Sequence, residues 1–281
     1  MYERRYGLIR TLAPLHVGAS AGEESGNLNL IFREAYTQTG IIPGSSIRGR
    51  FRAEMRRQGG SDQSATIRWY GSEAGNADIS EARVKFEYAS LVWLPVFCPG
   101  QPVVWVSCPR LLDRYRRIAD MSLRLPDKYT GSPGLRGRES TGGADKDKIL
   151  FFNLGFMTIR PDARLRDWIP EGFEDCLSAD RLVVVDDADM GLIHDMALFR
   201  QSRVKLDDNE KKVAPGAFFN LEAMPEGSVL IFPLALKPKE ADDWKPFATS
   251  SSQDLYFGGL ESVGFGRCEV TLIKPPAKEV Q

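Results

Sequence analysis

The stretch "GIIPGSSIRGRFRAEMRRQ" (40–58) decides how this 281-residue chain is read. After the Pro-Gly turn, Ser45 and Ser46 offer hydroxyls of the kind that cap a helix, and Ile47, Phe51 and Met55 follow at spacing four. That pattern predicts an amphipathic helix over about 46–58 with those three side chains buried. Arg48, Arg50, Arg52, Arg56 and Arg57 then fall on its other faces, toward solvent or a ligand. A helix start presents unpaired N–H groups and a partial positive charge. A serine-capped tip ringed by guanidinium groups therefore suits a phosphodiester backbone. A solvated arginine face is the competing reading of the same charges.

Upstream, "RYGLIRTL" (5–12) alternates apolar and polar residues and predicts a first strand, and residues 13–40 read as a long loop. Downstream, "ARVKFEYASLVWLPVF" (82–97) is β-rich. "QPVVWVSCPRLLDRYRRIADM" (101–121) predicts a strand and then a helix, capped at Ser107 or Cys108, with Leu111, Leu112, Tyr115 and Ile118 inward. Residues 126–148 are too rich in Gly, Pro, Ser and charge to bury much apolar surface, which predicts an exposed insertion with disorder as one outcome. "ILFFNLGFMTI" (149–159) reads as strand, and 181–201 as a short strand, an aspartate cap and a helix. Residues 202–225 predict a projecting hairpin, 227–236 a strand, and 256–274 a glycine-rich loop entering a last strand. The order β-α-β-β-α-β predicts one α+β domain over 1–281, an antiparallel sheet with helices on one face.

Composition narrows the function classes. Apolar residues make up 42% and charged residues 27%, as in ordinary globular proteins, and the formal net charge is −1. Affinity for a polyanion must then come from local patches. The runs "ASLVWLPVF" (89–97) and "SVLIFPLALK" (228–237) are too short to span a bilayer, and "MYERRYGLIR" carries no leader pattern, so the expectation is a cytoplasmic protein without a membrane partner. Cys98, Cys108, Cys176 and Cys268 show no zinc spacing and read as buried or half-buried free thiols. His16 and His194 are the only histidines, which excludes a multi-histidine metal centre.

A second segment, "GGLESVGFGR" (258–267), has four glycines in nine residues before a strand. Such a loop either cradles phosphate or packs closely on neighbouring backbone, and without a Walker-type lysine the packing reading leads.

These segments carry a resemblance. "TLAPLHVGA" (11–19), "REAYTQTGIIPGSSIRGRFR" (33–52) and "FGGLESVGFGRCEV" (257–270) are similar to the signature segments of the RAMP superfamily of CRISPR proteins. "WLPVFCPGQPVVWVSCPRLLDRYRR" (93–117), "RLVVVDDADM" (181–190) and "SRVKLDDNEKKVAPGAFFNLEAMPEGSVLIF" (202–232) resemble the backbone subunit of type III-B, or Cmr, effector complexes. The resemblance implies a modified ferredoxin-like (RRM-like) fold with a projecting thumb hairpin. Its copies stack head-to-tail along a CRISPR guide RNA, with target RNA and other effector subunits as further partners. It also implies that His16, Gly18, Ser45, Ser46, Arg48 and Arg50 belong to the guide-binding surface. Gly258, Gly259 and Gly264 would lie in the loop beside it, and Arg203 and Lys205 would contact phosphate from the thumb. His16 also reads as a satisfied core histidine.

Many members of the family cut target RNA with a loop aspartate and a metal ion. The matching position here holds Leu28, between Asn27 and Asn29, and an amide cannot replace a carboxylate base. Glu23 and Glu24 are the carboxylates of the same loop, and either one is the candidate catalytic base, with solvated surface glutamates as the plainer reading. No tightly bound cofactor is expected, and magnesium enters only with cleavage. A guide-holding scaffold and a metal-dependent endoribonuclease are thus the two functional expectations.

Overall fold

The computed structural model describes residues 2–18, 28–72, 80–140, 146–153, 155–206 and 213–275, leaving aside the side chains of 28, 204–206 and 213–219. The first half of the chain forms β1 (Glu3–Thr11), β2 (Leu28–Asn29), β3 (Ile41–Ile42), α1 (Gly44–Gly59), α2 (Ser64–Tyr70), β4 (Val84–Phe86), β5 (Ala89–Cys98), β6 (Gln101–Ser107) and α3 (Pro109–Ala119). Next come β7 (Thr130–Gly131), β8 (Arg138–Glu139), β9 (Lys148–Phe152), β10 (Gly155–Pro161), β11 (Leu182–Val184) and α4 (Asp187–Ala197). The last part supplies β12 (Phe199–Leu206), β13 (Val213–Ala223), β14 (Val229–Leu236), β15 (Ser252–Tyr256) and β16 (Arg267–Ile273).

Among the described residues, thirteen strands share one sheet. Its path runs β15-β16-β1-β14-β5-β6-β11-β7-β10-β9-β8, with β3 on β5 and β4 on β14. Pairing is antiparallel except where β11 meets β6 and β10 meets β7. This is a mixed α+β fold with a large, mostly antiparallel sheet. A second sheet joins β12, β13 and β2.

Both faces of the large sheet are apolar. Along β1, Ile9 belongs to one buried cluster and Leu8 to another, and along β14 Leu230 and Phe232 oppose Val229 and Ile231 in the same way. One face takes α1 through Ile47, Phe51 and Met55, the stripe expected from the sequence. The Phe51 ring centre lies 5.4 Å from Phe86, 6.0 Å from Phe232 and 5.3 Å from Phe247. The other face takes α3 through Leu112, Tyr115 and Ala119, with Trp168 against Tyr115 at 6.4 Å. The helices therefore cover both faces rather than the single face expected. A sheet whose central strands are apolar on both sides needs a layer on each.

Three local readings also change. The insertion 126–148 is expected to stand exposed, yet within it Thr130, Ser132 and Leu135 are buried and β7 sits between β10 and β11. A polar, small-residue segment packs by satisfying its backbone: Ser132 N–H donates to the Leu182 carbonyl at 2.9 Å, and Leu182 N–H donates to Ser132 Oγ at 3.1 Å. Residues 141–145 of that insertion lie outside the described residues. The stretch 149–159 is two antiparallel strands rather than one, with Phe152 opposite Gly155. The hairpin begins at Phe199 and pairs to Leu206 opposite Val213, with its tip, 207–212, outside the described residues. All four cysteines are free, and burial pushes the Cys108 thiol up to about 12. Among the described residues no helix is long and apolar enough to cross a membrane.

Candidate nucleic-acid interface

The chain leaves β1 at Thr11 and runs straight along the glycine-rich loop. Leu12 N–H donates to the Arg267 carbonyl at 2.8 Å, Gly266 N–H to the Pro14 carbonyl at 2.9 Å, and Gly259 N–H to the His16 carbonyl at 3.1 Å. Gly258 has φ +77°, and a Cβ there would stand 2.0 Å from the His16 carbonyl oxygen. Only glycine fits that position. Gly264 is also left-handed, at φ +95°, but a Cβ on it would meet nothing within 4 Å, and the same holds for Gly259. The loop thus has two kinds of glycine: Gly258 packs on the chain, while Gly259 and Gly264 have open space where a side chain would stand, their N–H groups donating to the His16 and Glu261 carbonyls.

His16 is 8% exposed, and its Nδ1 lies 2.7 Å from the Glu222 carbonyl oxygen. A carbonyl only accepts, so Nδ1 is the donor. Nε2 would be 3.3 Å from a Cβ at Gly18, which pairs with Ile31. His16 is thus a hydrogen-bonded, mostly buried side chain.

The root of the hairpin closes the other side. Arg203 Nε donates to Gln201 Oε1 at 3.1 Å, its Nη2 to the Val263 carbonyl at 3.4 Å, and its guanidinium lies 5.3 Å over the Phe265 ring. Phe265 packs with Leu221, Ala223 and Leu260, and its ring centre is 5.9 Å from Phe199. The β1 exit, the glycine-rich loop and the hairpin root form one surface with Arg203 on it. Lys205 follows in β12, its side chain outside the described residues.

Helix α1 is held differently. Its cap residue is Pro43, and no side chain caps it, so Ser45 and Ser46 belong to the first turn instead of the cap position. Gly44 explains the earlier start, since a Cβ there would lie 2.8 Å from the Phe86 carbonyl oxygen, packing the turn onto β4. Arg48 donates to the Tyr70 carbonyl at the last residue of α2, a cation closing a helix C-terminus. Arg50 lies 3.8 Å from Glu54, which is 2% exposed and accepts from Arg57 and, at 2.7 Å, from Gln253 of β15. The Arg57 hydrogen bond holds the Glu54 carboxyl below its ordinary range. The expectation that all five arginines face solvent or a ligand therefore fails for Arg48, which the fold itself uses.

Sequence reasoning missed the acidic centre behind His16. Glu222 is 1% exposed and accepts from Ile31 N–H at 3.2 Å and from Arg33 Nη2 at 2.9 and 3.0 Å. Arg33 also meets Asp195 at 3.0 Å, and Asp195 meets Arg200 at 2.9 Å. Burial alone would raise the Asp195 carboxyl, but its bonds to Arg33 and Arg200 bring it below the usual value.

Beside this network His194 is fully buried, and its Nε2 accepts from Gly40 N–H at 2.9 Å. Burial, and then the charge of Arg33, push its pKa down to about 3. A histidine near 6.5 when unfolded takes up its proton on unfolding, so stability is full above about pH 6.5 and falls below it, by about 2 kcal/mol at about pH 5. Urea unfolding of the wild type against His194→Gln should show that loss in the wild type alone. Equal slopes in both would show that His194 is not its source.

The loop carboxylates Glu23 and Glu24 lie outside the described residues. The Leu28 backbone is described and pairs with Asn220 at the start of β2. Among the described residues no three His, Cys, Asp or Glu side chains come together as a metal site would require.

A model of the RAMP superfamily matches residues 8–269. No curated protein sequence matches the chain. Solved structures match it in fold at low identity. A chain of the type III-B Cmr-beta complex bound to cognate target RNA superposes with TM-score 0.74 at 18% identity, covering 96% of both chains. The oligomeric Cmr4 of Pyrococcus furiosus superposes with TM-score 0.72 at 16% identity, over 99% of this chain and all of that one (100%). A second Cmr4 crystal structure gives 0.69 at 16%, over 98% and 100%.

Proposed function

Since this chain belongs to the RAMP superfamily, we propose that it is a backbone subunit of a Cmr-type CRISPR effector complex, holding guide RNA and positioning target RNA in the cytoplasm. The observation that carries this reading is the meeting of the β1 exit, the open glycines Gly259 and Gly264, and Arg203 on one surface. A guanidinium beside a turn that carries no side chains at Gly259 and Gly264 lets a phosphate approach without bases being read, which a guide holder must do to accept any spacer. Arg203 enters this site already oriented by Phe265, so little rotamer freedom is lost when it meets a phosphate. Stacking along the guide calls for a heterologous head-to-tail contact with neighbouring copies, because a two-fold contact would close on itself.

The test is binding of the full chain to single-stranded guide RNA, followed by fluorescence anisotropy. Affinity should fall about tenfold or more as salt rises from about 50 to about 200 mM, and Arg203→Glu should weaken binding and make the salt slope shallower by about 1. A flat salt response would remove phosphate gripping from the protein. Adding magnesium and a matched target to the same assembly reads out cutting, and Glu23→Ala and Glu24→Ala assign it to the loop.

A further inference from the structure

Tyr36 is 78% exposed, yet the turn that carries it is fixed on all sides. Glu34 Oε2 accepts from Tyr36 N–H at 3.0 Å, Thr37 N–H at 2.7 Å and Thr37 Oγ1 at 2.9 Å. Gln38 N–H returns to the Glu34 carbonyl at 2.9 Å, and Glu34 N–H donates to the Thr39 carbonyl at 2.8 Å. Those bonds from the turn hold the Glu34 carboxyl low against the opposing effect of burial. Helix α4 clamps the turn from outside, since a Cβ on Gly191 would stand 3.1 Å from Gln38 Cβ and 3.2 Å from the Thr37 carbonyl oxygen.

The Arg110 guanidinium, from the first turn of α3, lies 5.0 Å over the Tyr36 ring. Its backbone N–H is spent on Asp187 at 3.0 Å, and the charge of its guanidinium helps to lower the Glu34 carboxyl of the same turn. An aromatic ring held this firmly in water adds little to the core, and its orientation is fixed before any ligand arrives.

Resting on the reading above, we propose that Tyr36 and Arg110 form a stacking site for one nucleotide of single-stranded RNA. The base lies on the open face of the tyrosine and its phosphate meets the guanidinium. In the turn, Glu34, Thr37 and Gln38 are polar and Ala35 is small, so the turn supplies no large apolar side chain of the kind that surrounds a protein hot spot. A single flat face next to a cation is the platform that a base of any identity can use.

The experiment measures binding of full-length protein to unstructured RNA carrying a fluorescent adenine analogue. Tyr36→Ala should weaken binding about tenfold with the salt slope unchanged, because stacking releases no counterions. Tyr36→Trp should restore affinity, and Arg110→Ala should make the salt slope shallower by about 1. Analogue fluorescence should be quenched by the wild type and not by Tyr36→Ala. Wild-type affinity and quenching in Tyr36→Ala would end this site while leaving guide holding intact. So would a defect in assembly of copies without one in RNA binding. A wild type that binds no RNA would end both.

Discussion

Gly258→Val should lower the thermal midpoint by about 10 °C, whereas Gly264→Ala should lower it by only a few degrees. Both positions are left-handed, a conformation worth about 1–2 kcal/mol against any residue with a Cβ. The difference is what lies beyond that Cβ. At Gly264 there is open space, and at Gly258 there is the His16 carbonyl oxygen, 2.0 Å away. A valine must push the loop off residues 14–17, breaking the Gly259–His16 and Gly266–Pro14 hydrogen bonds. RNA affinity should fall with it, since the open glycines lose their support. Differential scanning calorimetry of the two variants decides the matter, and equal midpoints would mean that the loop is not seated on the β1 exit.

The second large effect is at Glu222. Its removal leaves the half-buried Arg33 with Asp195 alone and the Ile31 N–H without a partner, so Glu222→Ala should destabilise by about 3–5 kcal/mol. Glu222→Gln keeps an acceptor for Ile31 and should fall between alanine and wild type. Removing both charges, as in Glu222→Leu with Arg33→Met, should be milder than the sum of the single changes, because no lone charge is left behind. Urea unfolding of the four proteins gives the coupling, and strict additivity would refute the pair.

Much of the fold was legible because local pattern and burial agree. The spacing of Ile47, Phe51 and Met55 and the Pro109 start of α3 both describe how those helices sit. What was illegible depends on residues distant in sequence. Nothing near Arg48 says that it will close α2 twenty-two residues later. Glu54 was lost among arginines, although an acid three and four positions from Arg57 and Arg50 was a usable signal. Glu222 sits in "FNLEAMPEG" (219–227) like any strand glutamate, and its partners come from 189 and 191 positions earlier. The buried turn at 130–135 was missed because composition counts side chains, while that segment packs through its main chain.

The two-residue strand β2 lies parallel to β13, and Ile31 and Arg33 are fastened to Glu222 on that same strand. The downstream end of the long loop is thereby riveted to the lever that Phe199–Ala223 makes. Loop end and hairpin root are one hydrogen-bonded unit, so a substitution that frees Glu222 should loosen the anchorage of both.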